Sequence, residues 1–155
     1  MARLSTLSRS VDGARAIVTG AASGMGRATA HLFADEGARV VVADLVRERV
    51  DAVVEEIHEL HGRHAALGVV CDVADHDSLK ALVHDTEAWG GGIDIVVNNA
   101  GVSLATSAFQ AEDEFESNWA STLDVNLTAH ARLIRLTVPF LAAEGRGRIV
   151  NIAST

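Results

Sequence analysis

The sequence contains no tyrosine and only one lysine, one cysteine and one proline among its 155 residues. The lone cysteine, Cys71, excludes a disulfide within the chain and is typical of a reducing compartment. With Lys80 as the only lysine and a net charge of −8, the chain lacks the clustered positive charge that nucleic-acid binding requires. No apolar run approaches the roughly 18–20 residues of a membrane span. Residues 1–12 also lack the apolar segment of a secretory signal, so we expect a cytoplasmic protein that binds neither nucleic acid nor membrane.

The composition that remains is that of one globular domain. Hydrophobic residues make up 48% of the chain and charged residues 22%, which argues against overall disorder. We expect a flexible lead-in over residues 1–12 and a single domain over residues 13–155.

Apolar segments of two kinds alternate along this domain. Short, continuously apolar runs predict buried strands near 14–19, 39–43, 65–71, 93–97 and 148–152. Helical spacing between them predicts helices, the first over 24–36 and the last over 113–143. The last helix should be kinked at Pro139 or end its regular part there. It carries an apolar stripe along one side, and such a stripe usually belongs to the core; its residues are Trp119, Leu123, Leu127, Ile134, Val138 and Leu141. The alternation predicts an α/β fold with a doubly wound parallel sheet, strand order 3-2-1-4-5.

A glycine-rich turn, Thr19-Gly20-Ala21-Ala22-Ser23-Gly24-Met25-Gly26, lies between the first strand and the first helix. Glycines permit positive φ and close ligand approach, and the free amides of a helix's first turn attract anions. This context favours a dinucleotide pyrophosphate site. The alternative is a tight turn whose glycines only let the helix pack on the strand.

Other polar residues follow the predicted strands at the edge where such sheets bind ligands. Asp44 comes 18 residues after Gly26, close to the spacing of an acid that accepts from a ribose hydroxyl. Its charge would repel a 2′-phosphate, so we expect NAD, with NADP less favoured. Two alternatives remain: Asp44 caps the next helix, or Arg47 and Arg49 admit NADP.

The ends of the third and fourth strands are less informative. Asp72 either accepts from the adenine amino group or merely stabilises a turn. The run Asn98-Asn99-Ala100-Gly101 either fixes a turn or passes against the cofactor. His58, His61 and His64 have a three-residue period, but no carboxylate or cysteine is placed convincingly beside them, and we expect no metal site.

Four motifs in this order resemble those of the short-chain dehydrogenase/reductase family. They are Thr19-Gly20-x-x-x-Gly24-x-Gly26, Asn98-Asn99-Ala100-Gly101, Asp124-Val125-Asn126-Leu127 and Gly147-Arg148-Ile149-Val150-Asn151-Ile152-Ala153-Ser154. The resemblance covers nearly the whole chain after the lead-in, but only the first, cofactor-binding part of the family's Rossmann fold.

The resemblance implies an NAD-dependent oxidoreductase that moves a hydride between the nicotinamide and a secondary alcohol or ketone. It implies that Asn126 holds a water in a proton relay and that Ser154 hydrogen-bonds the substrate. It also implies pairing of subunits through the long helix 113–143, hence a homo-oligomer. The implied cofactor-binding residues are Gly20, Ser23, Gly24, Met25, Gly26, Asp44, Asp72, Val73, Asn98, Ala100 and Gly101.

The family's acid/base pair, Tyr-x-x-x-Lys, is absent from these 155 residues, since there is no tyrosine and Lys80 lies far upstream. We therefore expect a sheet cut off after strand five, with an unpaired apolar edge, and weak or no turnover by this chain. Two alternatives to an enzyme remain open: a non-catalytic dinucleotide-binding module and an inactive partial product.

Overall fold

A computed structural model describes residues 9–143 and 145–153. Within these residues five strands alternate with five α-helices, and a π-helix joins the last two helices. The elements are β1 (Arg15–Thr19), α1 (Gly24–Asp35), β2 (Arg39–Asp44), α2 (Arg47–His61), β3 (Ala66–Val70), α3 (His76–Gly90), β4 (Ile95–Asn98), α4 (Glu112–Leu123), the π-helix (Asp124–Thr128), α5 (Ala129–Ala143) and β5 (Arg148–Asn151). Most of the predicted lead-in, residues 1–8, lies outside the described residues, whereas Val11 packs against the core.

The strands form one parallel sheet in the order β3-β2-β1-β4-β5, which confirms the predicted order. In the centre, Ile17 of β1 pairs with Val41 of β2 on one side and with Val96 of β4 on the other. Because neighbouring strands run in the same direction, the carboxyl ends of β1, β2, β3 and β4 meet at one edge of the sheet.

Each face of the sheet is covered by helices, as a fully buried parallel sheet requires. Alternate residues of β1 point to opposite faces: Val18 joins a core with α1 and α2, whereas Ile17 joins a core with α3 and α5. Both side chains are fully buried. The continuously apolar strands of the sequence therefore reflect burial on both sides.

Local sequence signals fix the ends of the helices. Asp75 caps α3 by accepting a hydrogen bond from the amide of Asp77 at 3.1 Å. Gly37, two residues after α1, has φ of 84°, a left-handed conformation that favours glycine and lets β2 begin at once. Gly62 has φ of 87° and ends α2.

The long helix predicted over 113–143 is divided by the π-helix, and of its apolar stripe only Leu141 is buried, so the interpretation of the stripe as core is wrong for α4 and the π-helix. Neither α4 nor the π-helix has a buried residue, and Leu127 is 62% exposed. The buried residues of α5 are Ala129, Leu133, Thr137 and Leu141. Since α4 and the π-helix bury no residue on any side against the rest of the described chain, this part of the stripe faces no core. The helix also continues past Pro139 to Ala143 instead of ending there.

At the other side of the sheet from β3, β5 is an edge strand within the described residues. Its side chains Ile149 and Val150 are 42% and 43% exposed. The prediction of an apolar strand edge left open at β5 is confirmed for the residues that the structure describes.

Candidate active site

A cleft of about 340 Å³ opens at the carboxyl edge of the sheet, where the sequence placed its candidate site. The glycine turn, the end of β2, the loop after β3, the loop after β4 and the π-helix all contribute to its walls. The lining residues are Gly20, Ser23, Gly24, Met25, Asp44, Leu45, Cys71, Asp72, Val73, Asn99, Ala100, Gly101, Val102 and Val125.

The three glycines of the turn serve different purposes. Gly20, with φ of 64°, lies so close to β4's loop that a Cβ would come within 2.9 Å of the Ala100 Cα. Gly24 has φ of 50° and faces open space inside the cleft. Gly26 is buried outside the cleft lining, and a Cβ there would collide with the carbonyl oxygen of Gly20. Two glycines thus shape the cleft, and the third allows α1 to pack against the turn.

The first turn of α1 offers unpaired amides to this cleft. Ser23 stands at the N-cap without a side-chain capping bond, and the first turn contains no acidic residue. Among the described residues, no acceptor is bonded to the amides of Gly24, Met25 or Gly26. An anion in the cleft would complete these bonds and meet the positive end of the helix dipole, so the cradle fits a pyrophosphate.

Asp44, at the end of β2, sits beside this turn. One carboxylate oxygen accepts from the Ala22 amide at 3.0 Å, and the other accepts from the Leu45 amide at 2.8 Å. The N-cap of α2 is Val46, so Asp44 does not cap that helix. A carboxylate oxygen can accept two hydrogen bonds, and each oxygen of Asp44 accepts one here, so both retain capacity for a ribose hydroxyl.

The loop after β3 forms the opposite end of the cleft. Asp72 is exposed and accepts from the Ala74 amide at 2.9 Å, which is the turn role left open by the sequence. Its second oxygen has no partner among the described residues, and Val73 packs beside it against the core. Cys71 contributes a buried thiol, and that burial raises its pKa. The thiol is therefore protonated and acts as a small apolar wall.

The loop after β4 is held by Thr19, the last residue of β1. The Thr19 hydroxyl accepts from the amides of Asn99 and Ala100, both at 3.1 Å. Asn99 in turn donates to the carbonyl oxygens of Thr19 and Gly20. This network fixes Ala100 and Gly101 against the glycine turn.

The two asparagines of this loop have separate positions. Asn98 is fully buried behind the cleft and donates to the Asn151 side chain of β5 at 2.8 Å. Asn99, which the site prediction omitted, is the residue that lines the cleft. Its position directly after a buried strand was a usable signal, because alternate residues of a strand point in opposite directions.

Asn126 lies in the π-helix and binds the backbone of Val102 twice. Its oxygen accepts from the Val102 amide at 2.9 Å, and its amide donates to the Val102 carbonyl at 2.8 Å. The neighbouring Val125 lines the cleft. Asn126 therefore anchors the loop after β4, whereas Ser154, the other predicted catalytic residue, lies outside the described residues.

The histidines considered for a metal site have separate partners. His58 bonds the Ala66 carbonyl of β3 at 2.9 Å, and His61 bonds the Asp35 carboxylate of α1 at 2.8 Å. In the part of the chain that the structure describes, no group of three or more His, Cys, Asp or Glu side chains is arranged to hold a metal.

No described helix is long and apolar enough to cross a bilayer.

Comparisons with known proteins point in the same direction as the geometry. The family model described as short chain dehydrogenase matches residues 14–155. The chain is 35% identical over 144 residues to a 3-oxoacyl-[acyl-carrier-protein] reductase of Thermotoga maritima, covering 93% of this chain and 56% of the relative. It is 39% identical to a D-threitol dehydrogenase of Mycolicibacterium smegmatis, covering 93% and 54%.

Solved structures have the same fold. A 7α-hydroxysteroid dehydrogenase complexed with NADH and 7-oxoglycochenodeoxycholic acid superimposes with a TM-score of 0.83 at 33% identity, covering 93% of this chain and 54% of the other. A hydroxysteroid dehydrogenase from Escherichia coli gives a TM-score of 0.81 at 32% identity, covering 90% and 55%. The chain therefore spans about half the length of the relatives it matches.

Proposed function

This chain belongs to the short-chain dehydrogenase family, and from that premise we propose that it binds NAD as the cofactor-holding part of an alcohol or ketone oxidoreductase. The observation that carries the proposal is the unpaired first turn of α1, which faces a cleft that also contains a carboxylate at the end of β2. When bound, the nicotinamide supplies or accepts a hydride. The chain's own residues bind and orient the dinucleotide.

The pyrophosphate end of the site is formed by the turn between β1 and α1. The amides of Gly24, Met25 and Gly26 donate to the phosphate oxygens, and the exposed Ser23 contributes its hydroxyl. Gly20 and Gly24 keep the backbone free of side chains, so the charged bridge can approach the amides closely. Since these donors are backbone groups, the acidic composition of the chain does not oppose binding.

NAD is favoured over NADP by the charge at the end of β2. The Asp44 carboxylate accepts from a ribose hydroxyl and repels a 2′-phosphate. Arg47 is the first residue of α2 and forms an exposed ion pair with Asp51 at 3.3 Å, an i,i+4 pair on the same helix. Its charge is therefore partly compensated. Arg49, the other arginine considered for NADP, is exposed, so the preference for NAD rests on the Asp44 carboxylate.

The adenine and nicotinamide ends are assigned to opposite walls of the cleft. The free oxygen of Asp72 accepts from the adenine amino group, and Val73 packs against the ring. Ala100 and Gly101 pass beside the nicotinamide half, with Asn98 bracing the strand beneath them. Asn126 keeps this loop in place through Val102; the water-holding role and the substrate contact of Ser154 stay predictions.

Calorimetry tests the cofactor assignment directly. The 155-residue chain is titrated with NAD and, separately, with NADP. We expect NAD to bind at least about tenfold more tightly than NADP, or NAD alone to give a measurable enthalpy. Tighter binding of NADP would contradict the assignment. Absence of binding by either cofactor would contradict the proposal and favour an inactive partial product.

We further propose that two copies of the chain pair through α4 and the π-helix. Phe115 and Trp119 stack with ring centroids 6.1 Å apart, and Leu123 and Leu127 continue the stripe at four-residue spacing. Light scattering should detect a dimer that Trp119→Glu dissociates. The control is Leu60→Glu, which also replaces an exposed apolar side chain with glutamate, but on α2. A cytoplasmic location is proposed from the single free cysteine.

A further inference from the structure

The loop between β3 and α3, residues 71–75, carries the wall assigned to adenine, and most of its hydrogen bonds are local. The Ala74 amide donates to the Asp72 side chain, the Asp75 amide donates to the Asp72 carbonyl, and the Asp72 amide donates to Ser78. These bonds shape the turn. The Cys71 amide also donates to the Asp44 carbonyl at 2.9 Å, which joins the start of the loop to the end of β2, but none of these bonds holds residues 73–75 against another wall of the cleft.

One long-range side-chain bond does connect this loop to another element. Arg132 of α5, 58 residues away in sequence, donates from Nη1 to the Ala74 carbonyl at 3.1 Å. Arg132 precedes Leu133, which is fully buried in the core beneath α3 and β4. The arginine therefore projects from a helix whose position is fixed by packing.

The same helical segment also reaches the cleft. Val125 of the π-helix lines the cleft together with Val73 of the loop, and Arg132 lies in α5, which directly follows the π-helix. This continuous helical segment thus lines the cleft through Val125 and bonds the loop through a charged donor, Arg132. A bond from a charged donor is stronger than one from a neutral donor.

We propose that Arg132 is a positioning residue that holds the loop 71–75, and with it Asp72 and Val73, in register with the rest of the cleft. This role rests on the proposed dinucleotide binding. Without the bond to Ala74, the loop retains its turn and the bond from the Cys71 amide to the Asp44 carbonyl, but residues 72–75 shift relative to the cleft, so the Asp72 oxygen no longer meets the adenine amino group. The phosphate turn, on α1, is unaffected.

The test compares NAD with nicotinamide hypoxanthine dinucleotide, in which a carbonyl replaces the adenine amino group. Arg132→Met keeps a long unbranched side chain but removes the donor. The dissociation constant for NAD should rise roughly three- to tenfold, and that for the hypoxanthine analogue at most about twofold, so the preference between them falls. Arg132→Lys, which keeps a charged donor, should restore at least half of the lost preference.

Arg135→Met is the matched control. It removes the same charge from the same helix at an exposed residue that has no ion pair or hydrogen bond among the described side chains. It should leave both dissociation constants within about twofold of those of the unmodified chain. Should Arg132→Met fail to fold, the comparison is made on Arg132→Gln, whose amide is too short to reach the same carbonyl.

The outcomes separate the two proposals. If Arg132→Met weakens the binding of both dinucleotides equally, or of neither, the positioning role of Arg132 is overturned. The proposed NAD binding is unaffected by that result as long as the unmodified chain binds NAD. If the unmodified chain binds neither dinucleotide, the proposed function fails, and the role of Arg132 fails with it.

Discussion

The carboxylate of Asp44 accepts a hydrogen bond from the backbone amide of Ala22 across 3.0 Å, which ties the end of β2 to the glycine turn after β1. The acid that is assigned to cofactor choice is therefore also a support of the phosphate turn. Its removal should affect both properties, and the two effects are separable by measurement.

We expect Asp44→Ala to weaken NAD binding roughly tenfold and to remove most of the preference over NADP, because the ribose acceptor and the repelling charge are both lost. Glu48→Ala, which removes an exposed negative charge from the first turn of α2, is the control and should change the preference little. Calorimetric titration with both cofactors measures the ratio. A preference that survives in Asp44→Ala would contradict the role of the carboxylate.

Gly24 offers a second prediction, because its φ of 50° is unfavourable for other residues and its Cα faces the cleft. Gly24→Ala should lower the free energy of unfolding by about 1–2 kcal/mol and weaken NAD binding by at least about tenfold. Gly13→Ala is the control, since Gly13 has φ of 69° and open space around it at the far edge of the sheet.

The control variant should lose a similar amount of stability and bind NAD normally. Denaturant unfolding gives the stability difference, and calorimetry gives the affinity. If both variants lost affinity equally, backbone strain alone would explain the result, and the turn would have no special part in binding.

The two hydrogen bonds between the Asn126 side chain and the Val102 backbone should contribute to the stability of the chain. Asn126→Asp keeps an acceptor for the Val102 amide but places an oxygen against the Val102 carbonyl, so we expect a loss of about 1–3 kcal/mol of stability. Asn118→Asp is the control, because Asn118 makes a single bond to this loop, from its side-chain amide to the Ala105 carbonyl. Thermal unfolding should rank Asn126→Asp below Asn118→Asp, and the reverse ranking would refute the anchoring role.

Acid stability should depend on the ion pair at the opposite edge of the sheet. Hydrogen bonds from the side chain and backbone of Arg15 hold the pKa of Asp94 below its usual value. A carboxyl whose folded pKa is lowered contributes stability that is fully present above its unfolded pKa of about 3.9 and is lost as pH falls toward the folded pKa.

We therefore expect stability to fall on acidification below about pH 5, and Asp94→Asn to be less stable at pH 7 by about 1–3 kcal/mol with a flatter acid profile. Denaturant midpoints between pH 3 and pH 7 measure the slope. Asp77→Asn is the control, since the Asp77–Lys80 pair is fully exposed to solvent. An unchanged slope in Asp94→Asn would show that other groups govern acid unfolding.

Much of the fold follows from local sequence patterns. The continuous apolar run Val40-Val41-Val42 predicts a strand in a sheet that is buried on both faces. Two glycines with positive φ, Gly37 and Gly62, mark the ends of α1 and α2. Strand order then follows from the handedness of the crossovers. The predicted positions of Gly20, Asp44 and Asp72 at one cleft follow from the same rule, since each comes at the end of a parallel strand.

What the sequence did not reveal depends on contacts between distant residues. Leu127 is exposed although its spacing is typical of a core residue, because α4 and the π-helix bury no residue against the rest of the described chain. The bonds from Asn126 to Val102 and from Arg132 to Ala74 join residues 24 and 58 positions apart. No periodicity encodes such pairs, because they exist only after the helices have packed.

The central claim is that main-chain amides at the start of α1 hold the pyrophosphate of NAD. The most direct measurement is the amide nitrogen–proton spectrum of the chain during titration with NAD. The account predicts the largest shifts at Ser23, Gly24, Met25 and Gly26, with saturation at the calorimetric affinity. Shifts confined to other regions, or none at these four amides, would contradict it.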